Sequence, residues 1–339
     1  MSTGTITDSG TATAAPPDGE GSEVQLQRAA YALHRVRVAA TQRLGASFAR
    51  ITLTSPELGS FGVGGHDQRF KVLLLKQPWE AYDPPAGDWY SWWRELPGDV
   101  RPVMRTYTVR AFRPATPDRC AEMDVDFVLH GVEDGHAGPA SAWAAAARPG
   151  DELVVVGPST PGTGRMWGVE WAPPAEARTL LLAGDETAVP AVSAILEQLP
   201  AGVRATALLE VPHAGDLLDL SSPADLTVEW LPRRGGVPGA LLQARVHEVA
   251  SALVEQAQLP SSPLDLDEVD LDDVDLDTGI LWEVPEHPVA TGPACLYAWL
   301  AGEAGVVKAL RRHLVRDVGV PRTSVAFMGY WREGRAEID

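Results

Sequence analysis

The chain of 339 residues has little cysteine, few basic residues and no long apolar segment. Its two cysteines, Cys120 and Cys295, could form one pair at most, which is typical of a reducing compartment. No apolar run approaches the length that crosses a bilayer, and residues 1–22 lack the basic start and apolar core of a secretory signal. We therefore expect a cytoplasmic protein without membrane insertion, with a disordered tail over residues 1–24.

Basic residues number 28 against 46 acidic residues, so the net charge is −18 at pH 7. This charge speaks against a nucleic-acid partner and against an anionic membrane surface. Acidic residues are densest between Asp265 and Asp277, where Leu and Val occupy positions that an EF-hand needs for ligands and for its glycine. We interpret residues 259–280 as a solvated acidic insertion in preference to a calcium site. The sequence shows neither a metal-ligand cluster nor a nucleophile–base pair.

The first half of the chain, from Tyr31 to Val156, has the pattern of short strands separated by Gly and Pro clusters. This pattern predicts an antiparallel β-barrel. Residues Pro78–Asp99, which are rich in Trp, are interpreted as a long loop that lines a pocket or caps the barrel. The predicted strands are Ala32–Val38, Phe48–Leu53, Arg69–Leu75, Thr106–Phe112 and Glu122–Leu129.

From Thr179 onward, continuous apolar runs alternate with helical segments, which predicts a parallel α/β sheet. We therefore expect a barrel domain over residues 25–165 and an α/β domain over residues 175–339. The predicted strands begin at Thr179, Ala205, Leu226, Leu296 and Ser324, and the predicted helices cover Ala188–Leu199, Leu241–Gln258 and Gly305–Val315.

Two strands of the second half end in the same pattern, Ala183-Gly184-Asp185 and Ala301-Gly302-Glu303. Open α/β sheets bind ligands at this carboxyl edge, although an acid in this place can also simply cap a helix. A full dinucleotide fingerprint is absent. The glycines at 62–65 follow no buried strand and those at 162–164 precede no clear helix, so both are interpreted as loops.

Residues 105–108 read Arg-Thr-Tyr-Thr on a predicted strand. Because side chains alternate along a strand, Arg105 and Tyr107 share one face and Thr108 is offset from them. An aromatic ring, a hydroxyl and a guanidinium in this arrangement can hold a planar, phosphorylated ring system. The alternative is an ordinary strand with an exposed Arg and a half-buried Tyr.

Several segments together resemble the siderophore-interacting protein family, which are flavin-dependent ferric-siderophore reductases on a ferredoxin reductase-like plan. They are Arg105–Thr108, Asp126–Gly131, Gly138–Trp143, Leu182–Ala188, Ala301–Glu303 and Gly329–Arg332. The resemblance spans roughly residues 28–336 and implies an antiparallel FAD-binding barrel followed by a parallel-sheet nicotinamide-binding domain.

The resemblance also implies roles for individual residues. Tyr107 and Thr108 would contact the reacting ring of FAD, and Asp185, Thr187 and Ala188 would lie beside its adenine or face the nicotinamide. The barrel residues implied to bind FAD are Arg105, Thr106, Tyr107, Thr108, Val128, His130, Gly138, Pro139, Ala140, Ser141 and Trp143. The cations implied to bind the ferric siderophore are Lys71, Lys308, Arg312 and Arg332.

Some of these assignments have ordinary structural alternatives. His130 could be a hydrogen-bonded histidine at a strand end, Trp143 could be core, and Lys308 and Arg312 could form a solvated helix face. The electron donor is NADPH or NADH. Arg233 and Arg234 could contact a 2′-phosphate or lie in a solvated loop.

We expect a monomeric FAD-dependent reductase that passes electrons from a reduced nicotinamide to ferric iron in a siderophore. One alternative is a general flavin or quinone reductase. Another is a siderophore-binding electron relay that ferredoxin supplies.

Overall fold

The computed structural model describes residues 31–85, 87–159, 162, 164–257, 282–285 and 296–334. The predicted tail, the predicted acidic insertion and Cys295 lie outside these residues. Among the described helices, none is both long and apolar enough to cross a membrane.

The first sheet is antiparallel, and its seven strands have the order β4-β3-β7-β1-β2-β6-β5. Alternating apolar residues on these strands point inward and form one core, as the period-2 pattern predicts. The strands are β1 (Tyr31–Arg43), β2 (Phe48–Ser55), β3 (Arg69–Leu74), β4 (Val103–Thr108), β5 (Ala111–Arg113), β6 (Ala121–Val128) and β7 (Glu152–Pro158).

The predicted strand Thr106–Phe112 is in fact two strands, because the chain changes partners between them. The Val109 N–H donates to the Gln68 carbonyl beside β3, and the Arg110 N–H donates to the Asp124 carbonyl on β6. Since β4 and β5 are the two edges of the sheet, this link carries the chain from one edge of the half-barrel to the other.

The predicted loop Pro78–Asp99 contains a short helix, α1 (Trp89–Glu95), so that interpretation was wrong in part. Asp88 caps the helix by accepting from the Ser91 N–H. Trp93 is buried and its indole donates to the Pro102 carbonyl. These aromatics cover the outside of the barrel against Leu73, Val154 and Val156. A second helix in this half, α2 (Pro139–Ala146), follows β6.

The second sheet has the order β10-β9-β8-β12-β13-β11 and is parallel except for its edge strand β11, which the sequence analysis missed. The predicted barrel plus α/β fold is thus confirmed. Its strands are β8 (Thr179–Gly184), β9 (Arg204–Val211), β10 (Asp225–Pro232), β11 (Trp282–Glu283), β12 (Leu296–Glu303) and β13 (Val325–Trp331), and its helices are α3 (Val189–Glu197), α4 (Ala240–Gln256) and α5 (Ala304–Arg312).

The two faces of this sheet are covered differently. One face packs on α3 and on the barrel, whose Phe48 is fully buried in the same core. The opposite face packs on α4 and α5. Chain order reverses between β8 and β12, so the ligand crevice of an open sheet is expected at their carboxyl ends, next to the barrel.

Candidate functional site

Strand β4 presents the first part of the site. The Tyr107 ring is half-buried and lies 4.2 Å from the ring of Phe127, centroid to centroid, and Phe127 lies 5.5 Å from Trp143. Thr108 is buried at the end of the strand. The Arg105 guanidinium is partly held by its neighbour, since it donates to the Met104 carbonyl at 2.7 Å. Tyr107 is therefore an aromatic surface supported by Phe127, with a cation two residues before it and a hydroxyl directly after it.

The amino terminus of α2 supplies the second part. Gly138 is its N-cap and offers no side chain to the first N–H groups, and Pro139 occupies the first turn. Nothing lies within 4 Å of the place where a Cβ on Gly138 would be. The Ser141 hydroxyl donates to the Val128 carbonyl, which ties the helix to the end of β6. Uncapped N–H groups beside open space fit an anionic pyrophosphate.

His130 lies where the barrel meets the α/β domain. Its Nδ1 is 3.6 Å from the Glu186 carboxylate, and its ring centroid is 6.1 Å from that of Trp331. The His130 side chain is 48% exposed; its partial desolvation lowers its pKa, and the negative charge of Glu186 opposes this effect. Gly131 follows with a φ of +67°, and a Cβ there would lie 2.8 Å from the His136 carbonyl oxygen, so the turn requires glycine.

Asp185 lies at the carboxyl end of β8, as predicted, but its oxygens are already occupied. They accept from the Thr187 backbone and hydroxyl, from the Glu303 N–H at 2.8 Å, and from the Trp331 indole at 2.7 Å. Burial, followed by the nearby charge of Glu186, raises the pKa of Asp185 to about 6. Asp185 therefore fastens the ends of β12 and β13 to that of β8.

Two other predicted residues at this edge, Thr187 and Ala188, differ in their exposure to solvent. Thr187 is half-buried, whereas Ala188 is fully buried in the core beneath α3. Gly184 allows this tight turn, because a Cβ there would meet the Ala301 carbonyl oxygen at 2.6 Å. The backbone of Ala188 can still border a ligand, but its side chain packs inward.

A buried ionic cluster at the same edge was missed by the sequence analysis. Arg233 donates two hydrogen bonds to Glu186, at 2.6 and 2.7 Å, and one to Glu210 at 3.2 Å. Glu210 also accepts from the N–H groups of Gly239 and Leu242, and so caps α4. All three charged side chains are at most 9% exposed.

This cluster corrects one interpretation of Arg233. Its guanidinium is neither in a solvated loop nor available to a 2′-phosphate, because two buried carboxylates hold it. Arg234, by contrast, is exposed and has a left-handed φ of +53°. The signal that could have revealed the cluster is positional: Glu186, Glu210 and Arg233 each follow or end a parallel strand at one sheet edge.

The four predicted substrate cations do not share one surface. The Lys71 ammonium donates to the Thr106 hydroxyl at 2.6 Å, on the strand face opposite to Arg105 and Tyr107. Arg332 directly follows β13 and Trp331. Lys308 and Arg312 belong to α5, which covers the sheet face turned away from the barrel. Of the four, Arg332 is the one that directly follows a residue, Trp331, bonded to Asp185 at the crevice.

Two family profiles match most of the chain. The profile described as "Siderophore-interacting FAD-binding domain" matches residues 37–162, and the one described as "Siderophore-interacting protein" matches residues 177–334. Ferric vibriobactin reductase ViuB of Vibrio cholerae is 28% identical over 85% of each chain. The crystal structure of the siderophore-interacting protein SipS from Aeromonas hydrophila is 33% identical, over 90% of this chain and 93% of its own, with a TM-score of 0.58.

A more distant likeness concerns the fold alone. Ferredoxin-NADP+ reductase from Plasmodium falciparum is 8% identical, with a TM-score of 0.53 over 87% of this chain and 95% of its own. The ferredoxin reductase-like architecture expected from the sequence is thereby confirmed.

Proposed function

Because the chain belongs to the siderophore-interacting protein family, we propose that it is an FAD-dependent reductase that passes electrons from a reduced nicotinamide to ferric siderophores. The observation that carries the proposal is the braced Tyr107 ring beside the uncapped start of α2, close to the carboxyl edge of the α/β sheet. The name of ViuB, a ferric vibriobactin reductase, supports the choice of substrate class.

The residues of the barrel suit FAD. Tyr107 offers its ring to a flat cofactor, with Phe127 behind it to fix the ring plane. Arg105 supplies positive charge for a phosphate, and the N–H groups at the start of α2 supply donors for the pyrophosphate. When bound, the flavin supplies the conversion between two-electron donors and one-electron acceptors.

The α/β domain would bind the nicotinamide at the crevice between β8 and β12. Thr187 lies at this edge and its hydroxyl is oriented by Asp185. Asp185 accepts hydrogen bonds from the Glu303 N–H and the Trp331 indole, and these bonds fix the wall of the crevice before a ligand binds. Arg234 is the exposed cation at the end of β10 and could favour NADPH through its 2′-phosphate.

The net negative charge of the protein bears on how an anionic substrate binds. Many ferric siderophores are anionic, so a local group of cations has to overcome the repulsion from a net charge of −18. We assign this task to Lys71, Arg105 and Arg332. Oxygen donors hold ferric iron more tightly than ferrous iron, so reduction favours release of the metal.

A steady-state assay tests the proposal. Protein reconstituted with FAD is given NADH or NADPH, and either a ferric siderophore with a ferrous-specific chelator or a simple quinone. We expect nicotinamide oxidation that depends on the siderophore and matches the ferrous iron formed. Faster turnover with the quinone would favour a general flavin reductase. Turnover only with reduced ferredoxin would favour an electron relay, and neither result would fit the proposal.

A further inference from the structure

Besides His130 and Phe48, two carboxylates of the α/β domain, Asp216 and Glu197, form hydrogen bonds to the barrel. Within the described residues, the chain passes between the two sheets once, from β7 to β8. Hydride transfer needs the donor and acceptor atoms held about 3–3.5 Å apart, and a shift of about 1 Å can cost roughly a hundredfold in rate. The contacts that set the separation of the domains therefore bear directly on the reaction proposed above.

The first contact is made by Asp216, which is fully buried in the turn after β9. Its Oδ1 accepts from the Ser47 N–H at 2.7 Å, and its Oδ2 accepts from the Ser47 hydroxyl at 2.7 Å. Oδ2 also accepts from the His213 N–H at 3.0 Å. Neighbouring Gly45 is so close that a Cβ there would lie 2.6 Å from the Gly215 carbonyl oxygen. A side chain at this position would push the domains apart.

Ser47 leads directly to the proposed flavin site. Its carbonyl accepts from the Leu129 N–H at 2.8 Å, and Leu129 precedes His130. Ser47 therefore connects the turn that contains Asp216 to the end of β6, so a movement of the turn displaces that end as well. Phe48, next in the chain, is buried in the core of the α/β domain, so the contact is also closed to water.

The second contact is made by Glu197, the last residue of α3. Its carboxylate accepts two hydrogen bonds from the Arg110 guanidinium, at 2.8 and 2.5 Å. Arg110 lies two residues after Thr108, in the link between β4, which presents Tyr107, and β5. The other end of α3 begins at Val189, beside the nicotinamide edge. This helix thus runs from the nicotinamide edge to a contact with the link between β4 and β5.

We propose that Asp216 and Glu197 are positioning residues that hold the nicotinamide-binding domain at the separation from the flavin that hydride transfer requires. This role rests on the proposed function. It differs from a purely stabilising role, because the reoxidation of the flavin by a soluble one-electron acceptor needs only the barrel side. The positioning role therefore predicts that one half of the catalytic cycle slows and the other half does not.

Substitution by the isosteric amides removes the contacts with little change of shape. In Asp216→Asn, either orientation of the amide places its NH2 group against a backbone N–H, that of Ser47 or that of His213. In Glu197→Gln, the NH2 group faces one guanidinium N–H. The Glu197 side chain is 37% exposed, so water can partly replace the lost bond and the effect should be smaller.

Matched controls lie inside the barrel. The Thr52 hydroxyl donates to Asp124 at 2.7 Å, as the Ser47 hydroxyl does to Asp216, but joins two strands of one sheet. Glu122 accepts from Arg113 at 2.9 Å, again within the barrel. Thr52→Val and Glu122→Gln therefore remove comparable interactions without touching the boundary between the domains.

The test is anaerobic stopped-flow on the full-length protein with bound FAD. Flavin reduction is followed at saturating NADH or NADPH. Separately, photoreduced protein is mixed with ferricyanide, and FAD content and Tm are recorded for each variant. We expect Asp216→Asn to lower the limiting rate of reduction by about 10–100-fold, with Glu197→Gln showing a smaller loss. Reoxidation and FAD content should stay at the wild-type level, as should both half-reactions of the two controls.

Other outcomes decide the matter differently. A wild type that neither nicotinamide reduces would contradict the proposed function, and the positioning role would fall with it. A reducible wild type with unaltered reduction in Asp216→Asn would contradict the positioning role alone, as would a parallel loss of reduction and reoxidation. If Asp216→Asn does not fold, Ser47→Ala replaces it, because this variant keeps the backbone hydrogen bond to Oδ1. The positioning role then predicts that the rate of flavin reduction falls relative to the rate of reoxidation.

Discussion

Asp67 is a fully buried carboxyl group whose ionisation works against the folded state. Burial raises its pKa to about 6, an effect that the hydrogen bond from the Trp171 N–H and the charge of Arg69 only partly offset. Oδ1 accepts from the Glu170 N–H at 3.1 Å and from the Trp171 N–H at 3.0 Å, and the Glu170 N–H also lies 3.3 Å from Oδ2. An asparagine with its carbonyl oxygen in the place of Oδ1 keeps the two shorter bonds, gives up the longer one and cannot ionise.

The magnitude and sign follow from the shift in pKa. The unfolded group has a pKa of 3.8, so the native state binds the proton more tightly. The contribution of this group to the free energy of unfolding is fully present below about pH 4 and is lost as the pH rises through about 6. Above that pH the free energy of unfolding no longer changes because of this group. A difference of roughly two pKa units corresponds to about 3 kcal/mol. Asp67→Asn should therefore raise the free energy of unfolding at pH 7 by up to about that amount.

Urea unfolding of the wild type and Asp67→Asn between pH 4 and pH 8 is the assay. The two proteins should have similar free energies of unfolding at pH 4 and should diverge as the pH rises, with the variant becoming the more stable. Asp219→Asn, at an exposed position, serves as the control and should leave the pH profile unchanged. A variant that is less stable than the wild type by the same amount at every pH would refute the reasoning.

Three further outcomes are expected. Tyr107→Ala should lose FAD on gel filtration whereas Tyr107→Phe retains it, since the ring rather than the hydroxyl packs on Phe127. Lys71→Ala should raise KM for an anionic ferric siderophore, less so at high salt, while Lys76→Ala, a surface lysine just beyond the same strand, should not. Arg233→Met should lower the free energy of unfolding by about 3–5 kcal/mol, because Glu186 and Glu210 stay buried without their partner. An unchanged urea midpoint in Arg233→Met would contradict that reading of the cluster.

Much of the fold could be predicted because local sequence patterns determine it. Alternating apolar residues identified β2 and β6, and the continuous apolar run at Thr179 identified a strand buried on both faces. The change of partner at Val109 and Arg110 was missed, since the period-2 pattern continues through it. Helix α1 was missed because Pro and Gly surround it and its stability comes from buried Trp93.

The candidate site was predictable in its parts and less so in its connections. The motif around Tyr107 and the carboxyl edge at Asp185 could be recognised from residue types and their order. The pairing of Arg233 with Glu186 and Glu210 could not, because it depends on which strand ends are neighbours in the sheet. The bond between Ser47 and Asp216 joins residues 169 positions apart, beyond any local pattern.

A single anaerobic turnover tests the central claim most directly. Protein with bound FAD is mixed with NADH or NADPH, and then with a ferric siderophore and a ferrous-specific chelator, while the visible spectrum is followed. The account predicts that the flavin absorbance bleaches with a nicotinamide and returns as the ferrous complex forms, with two ferrous ions for each flavin. Flavin that stays oxidised with both nicotinamides, or that returns without ferrous iron, would contradict it.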